Sequence, residues 1–355
     1  MVTSAQIQST QYDSLAMRWT IKFKTPAGQC TAIAKHLVLA TGIGSQRLNM
    51  PQIADSHLYQ GISLHSAWYQ NAKQLATKGA RSALVIGSAN TAFDVMEDCH
   101  AAGLQTTMVV RSPTYIVPVE YITHKMSLGA YDMGTAVADK LFLSLPSQVD
   151  GQLGRGLLVS FAEQEPDRYA ALTAAGFPVV DSRHPESALM HNLLERAGGH
   201  YVDVGGTKLL EEGKVGVKAG AEPVAYTPTG LRFSDGTCVD ADAIIWCTGF
   251  SDKNIRDNAT QILGGSQPKE DANGAKSKLM NPSDIAARLE PTWGVDSEGE
   301  IRGMWKRHSH LDDNFWIMGG YTQLHRWHSR TLALQIKAAL EGVLPPAYLD
   351  TPLST

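Results

Sequence analysis

An apolar run ending in glycine, a helix-forming segment and a second apolar run occupy residues 80–113, ARSALVIGSANTAFDVMEDCHAAGLQTTMVVRSP. No other stretch constrains the fold as much. Ala83, Leu84, Val85 and Ile86 stop at Gly87, small residues continue to Ala92, and an amphipathic segment covers 93–102. Gly103 closes that segment, and 106–110 is rich in β-formers. Strand, tight turn, helix, strand is the opening of a dinucleotide-binding unit in an α/β fold. The turn reads G-x-A-x-x-A where the full fingerprint carries three glycines, and its small residues sit where backbone must approach a pyrophosphate. Gly87, Ser88, Ala89, Asn90 and Thr91 are therefore candidate phosphate contacts. Asn90 is expected to cap the helix whose N-terminus holds the phosphate charge.

The end of the second strand selects the nucleotide. A carboxylate there would take the ribose hydroxyls of NAD, but the chain has Arg111 followed by Ser112. A guanidinium suits a 2′-phosphate through bidentate, charge-assisted hydrogen bonds, so NADP is expected. The alternative is an ordinary buried βαβ unit with an arginine at its edge.

A chain of 355 residues allows two domains or one large α/β domain with insertions. A formal net charge of −4 gives no reason to expect nucleic acid or an anionic membrane as partner. Cys30, Cys99, Cys238 and Cys247 form no C-x-x-C pair and no disulfide framework, so a reducing compartment, the cytoplasm, is expected. No apolar run approaches the ~20 residues of a membrane span, and the N-terminus lacks a charged-then-apolar signal pattern. His308, His310, His325 and His328 cluster late without an accompanying Cys or carboxylate pattern, so no metal site is expected. A G-x-S-x-G elbow is absent, which leaves a serine hydrolase without support.

Along the chain, 17–24 alternates like a strand, Pro26-Ala27-Gly28 turns, and 31–40 returns as a strand running into Ala40-Thr41-Gly42. That places amides and a hydroxyl at the carboxyl edge of a sheet, where ligands of open α/β folds sit. With Pro118 inside it, 115–121 reads as a loop bordering the nucleotide. Helices are expected over 137–145 and 185–197, with Leu189, Leu193 and Leu194 on one face. Short strands follow at 201–204, 214–217 and 230–233. Asp235-Gly236 is a hairpin turn before 238–242 and a strand opening at Ile244. Residues 258–303 read as a long polar surface excursion. A strand over 314–320 ends at Gly319-Gly320, and a helix over 325–342 carries Leu332, Ile336, Ala339 and Leu340 as its buried face.

Tyr59-x-Gly61-x-x-x-His65-x-x-x-Tyr69 resembles the F-x-G-x-x-x-H-x-x-x-(Y/F/W) signature of the class B flavin monooxygenases, with Tyr in place of the usual Phe. Leu39-Ala40-Thr41-Gly42 ahead of it, the GSANTAFD turn and TTMVVRS strand after it, and Ile244-Ile245-Trp246-Cys247-Thr248-Gly249-Phe250 follow the family's order. Tyr69 leans toward the N- and S-oxygenating branch over the Baeyer–Villiger enzymes, although Trp68 stands one residue earlier. The resemblance implies an NADP-binding Rossmann-type domain inserted into a partial FAD-binding two-dinucleotide-binding-domain fold. The expected parts are 1–60 (partial FAD domain), 61–240 (NADPH domain with a helical insertion) and 241–355 (C-terminal part of the FAD domain).

It also implies FAD and NADP as cofactors, O2 as co-substrate, and oxygen transfer to a soft nucleophile, an amine or sulfide of a small molecule. NADP+ would stay docked to keep water from the reacting flavin. By the same resemblance Ala40, Thr41, Gly42, Thr248, Gly249, Gly320 and Gln323 line the flavin side, and Arg326 serves a cofactor or a neighbour. His65, the one candidate in the catalytic region, positions a moving linker rather than transferring protons. The family's leading G-x-G-x-x-G unit has no counterpart ahead of Gly42, where Gly28 is the one glycine. The chain is thus expected to start inside the flavin domain, as a truncated gene model, an isoform or one piece of a split protein, and to hold FAD poorly alone. A disulfide-type flavin reductase would need a redox C-x-x-C. A non-catalytic NADP-binding or partner-binding remnant stays open.

Overall fold

Alternation at the N-terminus builds an antiparallel meander of β1 (Gln6–Asp13), β2 (Arg18–Thr25) and β3 (Gly28–Ala34). Its inward residues include Tyr12 and Trp19, both fully buried with ring centroids 4.6 Å apart. In the computed structural model the described residues are 1–42, 47–252, 255–265, 279–289, 294–305, 307–308, 311 and 314–346. The single return strand expected over 31–40 is two strands. Past Lys35 the chain leaves the meander, and β4 (Leu37–Leu39) pairs elsewhere.

Eleven strands follow: β5 (Ile62–His65), β6 (Ser82–Ile86), β7 (Gln105–Val110), β8 (Thr114–Pro118), β9 (Val179–Val180), β10 (His200–Asp203), β11 (Gly216–Ala219), β12 (Pro223–Tyr226), β13 (Gly230–Phe233), β14 (Cys238–Asp240) and β15 (Ala243–Trp246). Five of them form a parallel sheet in the order β11-β7-β6-β15-β5. Ala83–Ile86 and all of β15 are buried, because a parallel sheet covered on both faces wants continuous apolar runs. On one face lies the helix Asn90–Ala101, whose Phe93, Met96 and Cys99 enter the core, with Phe93 stacked on Tyr201 at 3.6 Å. Leu231, Phe233 and Tyr226 of the β12-β13-β14 meander cover the other face. A second parallel sheet, β10-β8-β9, stands beside it in sequence. The chain then adds β16 (Leu279–Met280) to β1 and β17 (Phe315–Ile317), parallel, to β4.

Two compact units result. The first is Met1–Arg47, Asp139–Gln148 and Phe250–Thr355; the second is Leu48–Ala138 and Val149–Gly249. The expected break at 240/241 falls inside the second unit's sheet, because β15 is hydrogen-bonded between β6 and β5. The division comes at 249/250 instead.

Several local expectations change. Residues 115–121 are not a loop: β8 is buried throughout and parallel to β10, and the helix Val119–Thr123 follows it. Pro118 fits because it ends the strand and opens the helix. Of 185–197 only Leu189–Leu194 is helical, since a turn from His184 precedes it and left-handed backbone at Ala197 ends it. The described part of 258–303 is no mere polar excursion. The helices Ile255–Ile262 and Pro282–Arg288 bury Ala259, Ile285 and Leu289, and Asn281 caps the second in a box with Asp284. Residues 266–278 and 290–293, Ile43, Gly44 and His310 lie outside the described residues. The last helix is Thr322–Leu340, with Leu332 buried but Leu340 exposed near its end. No helix among the described residues is long and apolar enough to cross a membrane.

In the first unit Trp19 Nε1 donates to the Asn314 carbonyl at 3.1 Å, and Asn314 Nδ2 donates to the Tyr12 hydroxyl at 2.7 Å, tying the meander to β17. Arg326 forks onto the buried Asp139 carboxylate, Nε to Oδ2 at 2.8 Å and Nη2 to Oδ1 at 2.6 Å. Arg326 thus serves a neighbour, as one of its two expected roles had it. Replacing Asp139 by alanine removes both of these charge-assisted bonds to a partly buried guanidinium and is expected to cost about 2–3 kcal/mol in denaturant unfolding. Lys337→Ala, which removes an exposed pair with Glu341, should stay within about 0.5 kcal/mol. His328 lies face to face on Trp305 at 3.8 Å, and burial pushes its imidazole down from 6.5 to about 4. The unfolded chain therefore binds that proton more tightly, so this contribution to stability is whole above pH 6.5 and is lost as pH falls toward 4. His328→Phe keeps the stack and is expected to flatten the fall in Tm across that window.

Candidate nucleotide-binding site

β6 ends where the second unit's sheet changes direction, with β7 on one side and β15 on the other. That is the crevice where open α/β sheets bind ligands. The Gly87 N–H donates to the Val109 carbonyl at 3.0 Å and the Cys247 N–H to the Ile86 carbonyl at 2.8 Å, so the turn starts flush with both neighbouring strands. Gly87 adopts φ +128°, and a Cβ there would stand 2.5 Å from the Cys247 carbonyl oxygen. Only glycine fits. The Ser88 and Thr114 hydroxyls share a hydrogen bond of 2.5 Å.

Ala89, extended at φ −92° and ψ −177°, is the N-cap, and no side chain caps the helix. The expectation for Asn90 is thereby corrected. Asn90 is the first helical residue, and its Oδ1 accepts the Val202 N–H at 2.8 Å, fastening the helix start to β10. The helix therefore presents its first amides without a side-chain acceptor over them, the arrangement that receives an anion. Thr91 is exposed in this first turn.

Because β6 and β7 run parallel with Ile86 beside Val109, Arg111 and Ser112 leave β7 at the same edge as Gly87. Both are exposed, and Arg111 Nη1 lies 3.6 Å from Glu222 Oε2. Glu222 follows β11, whose position the sequence misplaced by two residues, so nothing in the sequence brought this acid to Arg111.

The 59–69 signature proves to be a set of fasteners. Tyr59 donates its hydroxyl to the Ala241 carbonyl at 2.7 Å, and a Cβ on Gly61 would meet the Asp242 carbonyl oxygen at 2.5 Å. Tyr69 donates to Asp98 Oδ2 at 2.5 Å, and the same oxygen accepts the Ala72 N–H at 2.7 Å. His65 is fully buried, with Nδ1 accepting the Ala67 N–H at 3.1 Å and Nε2 3.0 Å from the Gly249 carbonyl oxygen. An accepting Nδ1 puts the proton on Nε2, which donates to Gly249. Burial lowers the His65 pKa and outweighs the opposing pull of that carbonyl, so the ring is a neutral strut. Asn49, absent from the sequence reading, clamps the same turn: its N–H donates to the Gly249 carbonyl at 3.0 Å and its Nδ2 to the Thr248 carbonyl at 3.1 Å. Thr248 donates its hydroxyl back to the Asn49 carbonyl. Thr248 and Gly249 therefore sit in the second unit, at the end of β15 beside Gly87. Burial pushes the adjoining Cys247 thiol up to about 12, which makes it inert at neutral pH.

In the first unit, Ala40, Thr41 and Gly42 leave β4 exposed, and the Met318 N–H donates to the Leu39 carbonyl at 2.8 Å. Parallel pairing of β4 with β17 brings Gly320 and Gln323 to that same edge. Gly320 turns at φ +100° into the helix Thr322–Leu340, whose N-cap Tyr321 likewise supplies no side-chain cap. Among the described residues, no group of three or more His, Cys, Asp or Glu could hold a metal ion.

The second unit thus combines a parallel sheet with a glycine turn and an open helix start at its switch point, as Rossmann-type α/β folds do. The family model for L-lysine 6-monooxygenase/L-ornithine 5-monooxygenase matches residues 3–128. Indole-3-pyruvate monooxygenase YUCCA1 of Oryza sativa subsp. japonica is 26% identical over 248 residues, covering 69% of this chain and 53% of that protein. Probable indole-3-pyruvate monooxygenase YUCCA10 of Arabidopsis thaliana is 24% identical, covering 69% and 56%. The chain spans about half the length of the curated relatives it matches. Among solved structures, cyclohexanone monooxygenase bound to epsilon-caprolactone shares the fold at TM-score 0.55 and 15% identity, over 95% of this chain and 68% of that one. Cyclohexanone monooxygenase from Rhodococcus sp. Phi1 bound to NADP+ does so at 0.50 and 15%, over 94% and 66%. The chain is thus similar in sequence to flavin monooxygenases and shares the fold of solved ones.

Gly87→Ala is expected to lower NADP+ affinity at least about tenfold, since the added carbon meets backbone and the φ is strained. Gly79→Ala, also at positive φ but with nothing within 4 Å, serves as the control for strain without a clash. Calorimetric titration with NADP+, beside circular dichroism of both variants, measures the difference.

Proposed function

We propose that this chain provides the NADP-binding domain and part of the flavin side of an FAD- and NADPH-dependent monooxygenase. Its reaction places one oxygen atom of O2 on a soft nucleophile of a small molecule, an amine or a sulfide. The observation that carries this reading is the single sheet edge holding Gly87 against Cys247, the uncapped start of helix Asn90–Ala101 and Arg111. Gly87, Ser88, Ala89, Asn90 and Thr91 would hold the pyrophosphate, and Arg111 with Ser112 the 2′-phosphate. Ala40, Thr41, Gly42, Gly320 and Gln323 would lie along the flavin. His65 and Asn49 act earlier in the chain of causes, fixing the Thr248–Gly249 turn beside the phosphate cradle. Hydride delivery and oxygen activation belong to the cofactors. With all four cysteines free, the cytoplasm is the proposed compartment.

N-oxygenation is favoured over Baeyer–Villiger chemistry by two observations. The family model that matches residues 3–128 is that for L-lysine 6-monooxygenase/L-ornithine 5-monooxygenase, named for substrates that carry a side-chain amine. Tyr69, held to Asp98, takes the packed position at the end of the signature, while Trp68 stands exposed.

Arg111→Gln is expected to weaken NADP+ binding about tenfold or more and to leave NAD+ binding nearly unchanged, as loss of a charge-assisted phosphate contact requires. Equal losses for both nucleotides would sink the 2′-phosphate assignment. Among the described residues the sheet that carries this side has two strands, so the chain incubated with FAD and desalted is expected to keep little flavin absorbance. NADPH oxidation measured with an amine, a thioether and cyclohexanone separates the N-/S-oxygenating reading from the Baeyer–Villiger one.

A further inference from the structure

Arg111 is offered to a 2′-phosphate, yet a carboxylate already faces it. Glu222 Oε2 stands 3.6 Å from Arg111 Nη1, with the two side chains 55% and 75% exposed. A pair so open to water is held weakly and exchanges easily for another partner. The backbone under Glu222 is fixed, however. Its N–H donates to Ser234 Oγ at 3.2 Å, and its carbonyl accepts the Ser234 N–H at 2.9 Å. Two residues earlier, the Gly220 N–H donates to the Val110 carbonyl at 2.9 Å, at the very end of β7. The carboxylate is therefore tethered next to the nucleotide edge and free to turn only about its own side chain.

We propose that Glu222 is a nucleotide-selectivity residue that lowers this site's preference for NADP(H) over NAD(H). The inference rests on Arg111 being the 2′-phosphate contact. A 2′-phosphate carries close to two negative charges and must displace Glu222 from Arg111 while remaining near it, so the carboxylate works against NADP. A ribose with free 2′- and 3′-hydroxyls reverses the sign. Glu222 can then accept their hydrogen bonds, as the acid at the end of the second strand does in NAD sites. The carboxylate that an NAD fingerprint places on the strand end arrives here from the turn after β11, alongside the arginine of an NADP site.

The test is calorimetric titration of the full chain with NADP+ and with NAD+, at low and moderate salt, for the wild type, Glu222→Gln and Arg111→Gln. Glu222→Gln keeps the side chain's size at an exposed position. It is expected to tighten NADP+ about three- to tenfold and to weaken NAD+, with the NADP+ gain shrinking as salt rises. An unchanged NADP+/NAD+ ratio in Glu222→Gln, with Arg111→Gln still losing NADP+, overturns the role of Glu222 and leaves the phosphate assignment standing. No NADP+ loss in Arg111→Gln overturns both.

Discussion

The β6 and β15 backbones approach so closely at their carboxyl ends that a single methyl group at Gly87 would stand 2.5 Å from the Cys247 carbonyl oxygen. Much of the second unit follows from that approach. Parallel register aligns Ile86 with Trp246 on one side and with Val109 on the other, so the ends of three strands open onto one edge. The helix starting at Asn90 then points its uncapped N-terminus along the same edge. An anion brought there meets backbone donors that already lack a side-chain acceptor, which is why no charged side chain is needed in the turn itself.

Around this edge the chain uses neutral hydrogen bonds rather than charges to hold position. His65, Asn49 and Thr248 fix the turn after β15, and Asn90 binds the helix to β10. A buried neutral imidazole does this without the desolvation cost of a cation, and its lowered pKa keeps it so at neutral pH. The 59–69 signature is in this light a list of attachments. Tyr59 and Gly61 hold the segment against Ala241–Asp242, His65 ties it to Gly249, and Tyr69 ties it to Asp98.

The first unit is organised differently. A meander anchored by Trp19 and Tyr12 carries β17 through Asn314, and β17 carries β4. A bidentate link, Arg326 to Asp139, joins the last helix to a short segment returned from the middle of the chain. Arg326, for which the resemblance left a cofactor or a neighbour open, is thereby bound to a neighbour that holds this unit together.

The sequence by itself determined the strand–turn–helix–strand of residues 80–113 and the edge at which Arg111 emerges. Local patterns suffice there, because an apolar run, a glycine at positive φ and a 3.6-residue period each act within one short segment. Only the tertiary structure decided that Ala89 rather than Asn90 caps the helix, since the Val202 N–H that claims the Asn90 side chain comes from a strand 112 residues away. It likewise made 115–118 part of a buried strand, through pairing with β10, and 119–121 part of the helix that Pro118 opens. Arg111 shows the division most clearly: its place could be read from the chain, but the carboxylate facing it could not. Glu222 reaches Arg111 through sheet pairing and the turn after β11, and no local pattern encodes a meeting of that kind.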